Sequence, residues 1–180
     1  MTQGPGAVLR AAALLAAAGL AACATPAEPN AMVVGRDPGG RPFPASFNDG
    51  ICVRTVTGGQ ETNPMLMSQV DDRAFRAALE TSLRENGLYG FGGCRYQADA
   101  NLLSLQQPMF GLDLRVSALV NYRLEEAGGG LLLRETLGSA HTSTFSDSPI
   151  AIVRLRLANE GAIRQSITDF FERLRELAPK

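Results

Sequence analysis

The sequence predicts an α+β fold: a four-stranded, mostly antiparallel sheet with two helices packed on one face, in the order β-α-β-β-β-α. Three observations carry that expectation. Residues 112–124 alternate apolar and polar side chains with one exception, Leu119, which is the period of a half-buried strand. Segments 68–86 and 148–178 space their apolar residues three and four apart, as amphipathic helices do. Gly- and Pro-containing breaks separate the periodic segments at lengths suited to turns and hairpins.

Asn48-Asp49-Gly50 is a turn signal and opens the folded part. The β-branched run Ile51-Cys52-Val53-Arg54-Thr55-Val56 follows as the first strand. Thr57-Gly58-Gly59-Gln60 breaks it, and Asn63-Pro64 is a second turn signal. Ser68 and Asp71 then form a capping box with Asp in place of Glu or Gln. Val70, Ala74, Phe75, Ala78, Leu79 and Leu83 give the first helix its apolar stripe, and Gly87 after Asn86 is a natural stop. A strand over 95–105 puts Tyr96, Ala98, Ala100 and Leu102 on one face, and Gln106-Gln107-Pro108 ends it. The strand over 112–124 runs into the hairpin signal Gly128-Gly129-Gly130. The chain returns antiparallel over 131–145, with Gly138 expected at a bulge or bend. Ser148 and Pro149 supply the N-cap and first position of the last helix. Its stripe runs through Ile152, Leu155, Ala162, Ile163, Ser166, Ile167, Phe170, Leu174 and Leu177. Gly161 in its middle costs about 1 kcal/mol against Ala, so it marks either a bend or a close approach of the sheet.

The apolar run 11–22 follows Arg10 and is too short to cross a bilayer, which takes about 20 residues; it has the parts of a secretory signal. Leu20-Ala21-Ala22-Cys23 resembles the bacterial lipobox, Leu-Ala-(Ala or Gly)-Cys. The resemblance implies a lipoprotein signal peptide over 1–22, cleavage before Cys23, a diacylglycerol thioether on Cys23, and a fatty acid such as palmitate on the new amino group. Ala24, where an Asp would signal inner-membrane retention, resembles the outer-membrane sorting pattern. The expected place is the periplasmic face of the outer membrane, held by lipid. At about 0.8 kcal/mol per buried CH₂, several acyl chains suffice as an anchor. Pro26, Pro29, Pro38, Pro42 and Pro44, with Gly35, Gly39 and Gly40, leave no period in the next segment apart from the apolar Met32-Val33-Val34. Residues 23–48 are therefore expected to form the acylated Cys and a flexible tether with a typical span of about 25 Å, and residues 49–180 a single periplasmic domain.

With 180 residues and a net charge of −1, the chain has length for one domain and offers no polyanion surface, so no nucleic-acid partner is expected. Cys52 and Cys94 are an even pair in an oxidising compartment; they form a disulfide, or else two buried thiols that never meet. His141 stands alone and builds no multi-histidine metal site, so neither metal nor cofactor is expected. Ser139, Ser143 and Asp147 lie near it, but strand alternation is expected to part their side chains from it; a surface histidine and no enzyme is the reading. An envelope enzyme with His141 as base is the least favoured of three functional hypotheses. Gly90-Phe91-Gly92-Gly93 follows a helix and enters a strand, the reverse of a phosphate loop, and lacks the Lys-Ser/Thr; it is expected to turn the chain so that Cys94 reaches Cys52. Asp99 and Asp113 either face each other as paired carboxylates or stand solvated. Arg154, Arg156 and Arg164 either meet an anionic partner or form the wet side of a helix. Leu131-Leu132-Leu133 and Met65-Leu66-Met67 fit a greasy ligand, a protein partner or ordinary packing.

The whole layout, closing on AIVRLRLANEGAIRQSITDFFERL, resembles small envelope lipoproteins of Gram-negative bacteria, the YajG-like group and the auxiliary lipoproteins of envelope ABC transporters. That resemblance implies a protein without catalytic residues, attached to a membrane by its lipid and to a protein partner, and acting by binding. It would be an accessory subunit of envelope assembly or lipid transport. Only Cys23 carries over residue by residue. The alternative is a carrier holding a small apolar ligand between the helices and the sheet.

Overall fold

The computed structural model of the chain describes residues 24–63 and 67–177. Its elements are β1 (Ile51–Thr57), α1 (Asp72–Glu85), β2 (Tyr96–Gln106), β3 (Leu114–Glu126), β4 (Leu131–Ser143) and α2 (Ala151–Glu176). The four strands make one sheet in sequential order, β1-β2-β3-β4. β1 and β2 are parallel because a helix connects them; β2, β3 and β4 are antiparallel because short turns do. The predicted α+β class and element order are those observed.

β3 follows its sequence alternation: Leu114, Val116, Ala118, Val120, Tyr122 and Leu124 are all buried under the helices. α1 presents Ala74, Phe75, Ala78, Leu79 and Leu83 to the same core. Its cap is Asp71, whose carboxylate accepts the Ala74 N–H at 2.8 Å. Ser68, expected as the cap, instead donates to the Thr25 carbonyl. At the core centre Tyr122 stacks on Phe170 with ring centroids 4.4 Å apart, and its hydroxyl meets Ser166 Oγ at 2.9 Å. Removal from water pushes the Tyr122 phenol well above its ordinary range, so the buried ring stays neutral and hydrogen-bonded.

Three positions depart from simple alternation. Arg54, Leu103 and Leu132 each have no register partner, since Val53/Thr55 pair with Ala98/Asp99, Leu102/Ser104 with Val120/Leu119, and Leu133/Leu131 with Leu124/Glu125. An extra residue in one strand re-aims the side chains around it. The bulge in β4 therefore lies at Leu132; Gly138, expected to mark it, pairs regularly with Leu119. The bulge also answers the triple leucine: Leu132 and Leu133 pack against the core, and Leu131 is half exposed.

The largest correction concerns residues 24–48, which do not form a free tether. Ala24, Ala27, Met32 and Phe47 are buried, and two short 3₁₀ turns, Pro29–Met32 and Ala45–Phe47, shape the segment. Phe43 meets Phe171 edge-on at 5.6 Å, Phe47 meets Tyr96 at 5.0 Å, and the Arg175 guanidinium covers the Phe43 ring. The physical reason is visible in composition: proline fixes φ without forbidding packing, and the apolar Met32, Phe43 and Phe47 are worth roughly 1.5–3 kcal/mol each when buried. The packed unit thus reaches back at least to Ala24 and does not start at residue 49. Cys23 and the signal segment 1–22 lie outside the described residues, as do Pro64, Met65 and Leu66.

Candidate functional site

The strap formed by residues 24–34 lies along α2 and runs in the same direction. Its contacts on α2 are spaced four residues apart, one helical turn each. Arg156 Nη1 donates to Thr25 Oγ1 at 3.1 Å, Glu160 Oε1 accepts the Glu28 N–H at 2.8 Å, and Arg164 Nη1 donates to the Ala31 carbonyl at 2.6 Å. Further along, Val34 N–H reaches Ser82 Oγ and the Asn86 amide reaches Val34 O, so the strap bridges α2 and α1. Burial pushes the Glu160 carboxyl above its ordinary value against the opposing pull of the Glu28 N–H and of Arg156. Arg156, half-buried, and Arg164, on the exposed side of the helix, both hold the strap. Arg154, by contrast, is buried, donating to the Ser148 carbonyl at 2.7 Å with its guanidinium over Phe145. The strap's backbone requires polar partners on α2, which is why Glu160 lies on a buried side of that helix; the buried Asn159 beside it serves the Ser68 carbonyl and Gln107 instead. The sequence signal was Met32, Phe43 and Phe47 inside a segment otherwise built like a leash.

At the start of the sheet, Cys52 and Cys94 form a disulfide, with Cα atoms 5.4 Å apart. The glycine loop makes it sterically possible: a Cβ on Gly90 would stand 2.6 Å from the Gly93 carbonyl and 3.2 Å from Cys52 Sγ.

His141 is half-buried, not a free surface histidine. It pairs with Val116 across β3/β4, on the helix-covered face, and its ring lies against Gly161 of α2. A Cβ on Gly161 would fall 2.1 Å from His141 Cδ2, so Gly161 marks the close approach of the sheet. Ser139 and Ser143, two residues either side, share that face with His141, contrary to the expected parting. Their hydroxyls turn elsewhere: Ser139 donates to Asp169 at 2.9 Å, and Ser143 to Asp147 at 3.4 Å. Among the described residues no group of three or more His, Cys, Asp or Glu is placed to hold a metal ion, and no helix is long and apolar enough to cross a membrane.

The open face of the sheet carries an ion cluster. The β1 bulge aims Arg54 at Asp99 and Gln97 of β2 and at Glu125 of β3, and Arg123, two residues before Glu125 on β3, pairs with it as well. Thr55 Oγ1 also donates to Asp99 at 2.6 Å. Asp99 therefore faces arginine, while Asp113 sits apart, accepting the Phe145 N–H at 3.4 Å; the two are not a carboxylate pair. Burial alone would raise the Asp99 carboxyl, but the bonds from Arg54 and Thr55 outweigh it and hold it below its ordinary range. A depressed carboxylate stabilises the fold above its unfolded pKa of about 3.9 and loses that contribution as pH falls through the folded value. The stability gap between wild type and Asp99→Asn should be constant between roughly pH 5 and 7 and shrink below about pH 4. Urea unfolding midpoints across that range check it; a gap that widens in acid contradicts it.

No family model matches the chain, and no curated protein matches it. Its fold is shared with solved structures. One is a protein of Caulobacter crescentus described as a candidate lipoprotein, 14% identical, TM-score 0.52, covering 73% of this chain and 91% of that one. A DUF330 protein of Xanthomonas campestris is 12% identical with TM-score 0.57, covering 82% of this chain and 92% of its own. A hypothetical protein of Chlamydia trachomatis is 11% identical with TM-score 0.51, covering 71% and 95%. At these identities the likeness is one of fold.

Proposed function

We propose that this chain is a lipid-anchored lipoprotein of a Gram-negative cell envelope that acts by binding, as an accessory subunit of an envelope assembly or lipid-transport complex. The observation that carries the reading is the lipobox-like Leu20-Ala21-Ala22-Cys23, followed directly by Ala24, which is already buried. A cleaved, acylated Cys23 would leave no excess chain between lipid and domain. The candidate lipoprotein of Caulobacter crescentus, which shares the fold, supports the same class. Ala24 after the acylated Cys favours the outer membrane, periplasmic side. The protein works in this reading through its surfaces and not through chemistry of its own: the serines near His141 are committed to Asp169 and Asp147.

The ligand-carrier reading is less well supported by the interior. The space between helices and sheet is occupied by Phe75, Leu79, Tyr122, Ile163, Ile167 and Phe170, all without exposure.

The test is to express the full chain in a Gram-negative host with labelled palmitate and to weigh the mature product. The expected outcome is label and a diacylglycerol-modified Cys23 in the membrane fraction, with Cys23→Ala unlabelled and uncleaved. Equal labelling of Cys23→Ala, or a mature wild-type product without the lipid mass on Cys23, would remove the reading. In-cell crosslinking of the acylated form then identifies the envelope partner.

A further inference from the structure

The chain keeps nine large apolar side chains exposed among its described residues, and five of them gather at one end of the domain. Met109, Phe110 and Leu112 are 82%, 87% and 74% exposed in the loop 107–113, between β2 and β3. Phe145 and Ile150 are 54% and 45% exposed in the loop 144–150, between β4 and α2. The two loops are neighbours: Leu114 pairs with Ser143 at their roots, and the Phe145 N–H donates to Asp113. Water-facing apolar clusters of this kind mark an interaction surface.

The beginning of the strap lies at the same end. The strap follows α2 from Arg156 to Arg164, which places Thr25 in the first two turns of α2, near where the loop 144–150 ends. Ser68 ties Thr25 to the other loop: its hydroxyl donates to the Thr25 carbonyl at 2.8 Å, and its own carbonyl accepts from Gln107 Nε2 at 2.9 Å. Cys23 is two residues from Thr25, a reach of about 7 Å.

We infer that the apolar end docks on the phospholipid bilayer surface that holds the Cys23 acyl chains, with Met109, Phe110 and Leu112 entering the headgroup boundary. The inference rests on the lipid-anchor reading above. Because the strap is packed down, the lipid cannot be paid out on a leash, and the bilayer must lie within that short reach of Thr25. The apolar loop tips are the side chains suited to an interface of water and acyl chain. Asp113 and Asp147 lie in the same loops, so the contact is apolar and needs no anionic lipid. The docked domain would direct its opposite end, with the C-terminal end of α2 and the disulfide, away from the membrane.

Wild type contains no Trp, so Phe110→Trp gives one fluorophore at the tip, and Leu103→Trp gives one on exposed β2 as a control. The full acylated protein, its Cys23 modification verified by mass, is placed in phosphatidylethanolamine/phosphatidylglycerol vesicles with brominated chains. Docking predicts blue-shifted emission and loss of most fluorescence for Phe110→Trp, and neither for Leu103→Trp. Water-like, unquenched emission from Phe110→Trp on membrane-bound protein overturns the inference, as does protection of that position only when a protein partner is added. Should the mass show no acylation, the lipoprotein reading fails separately. The chain from Cys23 onward is then coupled through that thiol to a maleimide lipid, and the same quenching decides the docking question.

Discussion

Replacing Cys52 and Cys94 together by alanine is expected to lower the unfolding free energy by about 4 kcal/mol. The figure follows from the 42-residue separation and the entropy that a crosslink of that span removes from the unfolded chain, about 4 kcal/mol at 25 °C. The native state should change little, because backbone bonds hold the same corner: Ile51 N–H to Leu88 O, Gly90 N–H to Ile51 O, and Tyr96 N–H to Gly50 O. The loss should therefore appear as a lower denaturant midpoint with the same folded spectrum. Reduced wild type should match the double variant. If reduction leaves the wild-type midpoint unmoved, the two cysteines do not crosslink the protein in solution.

Gly161→Ala is expected to destabilise, against the rule that alanine improves a helix interior. The helix preference would contribute about 1 kcal/mol in favour. Against it, the new methyl would stand 2.1 Å from His141 Cδ2 and 2.3 Å from Cγ. These atoms are near the root of the ring, so the side chain cannot yield without leaving its place between β4 and α2. Overpacking of this kind costs about 1–3 kcal/mol, and the net effect should be a loss. In a His141→Ala background the obstruction is gone, and the same substitution should stabilise. Thermal or urea unfolding of the four proteins gives the cycle. A gain from Gly161→Ala in the wild-type background would mean that helix and strand do not approach this closely.

That cycle bears on why β4 shows no apolar alternation in its sequence. Its helix-facing side carries Glu135, Leu137, Ser139, His141 and Ser143, mostly polar, although α2 lies on it. The polar residues are matched by α2: Arg173 pairs with Glu135 at 3.2 Å and Asp169 accepts from Ser139. A strand covered by the polar flank of a helix shows no apolar alternation, because the burial is satisfied by hydrogen bonds instead of by apolar area. β3, covered by apolar side chains from the same helix, shows it fully.

Residues 24–48, which include the strap, hide their packing from local pattern for a related reason. A segment with five prolines has no 2.0 or 3.6 period whether it is free or packed, since its shape is set residue by residue. The partners that fix it lie far along the chain: Glu160 is 132 residues from Glu28, and Arg164 is 133 from Ala31. Local pattern holds no record of such contacts. The same distance hides the second buried side of α2, where Phe171 meets Phe43.

The sequence by itself determined the fold class, the order of its elements and the core face of β3 and α1. Local periodicity is enough for that, because amphipathic elements must bury their apolar side together. It also held the lipobox-like Cys23 and the cysteine pair, both legible as short patterns. Only the tertiary structure decided that residues 24–48 belong to the domain, that His141 closes on Gly161, and that five exposed apolar residues meet at the end where the strap begins. Each of these depends on which distant residues become neighbours, and that is settled by the packing of the whole chain.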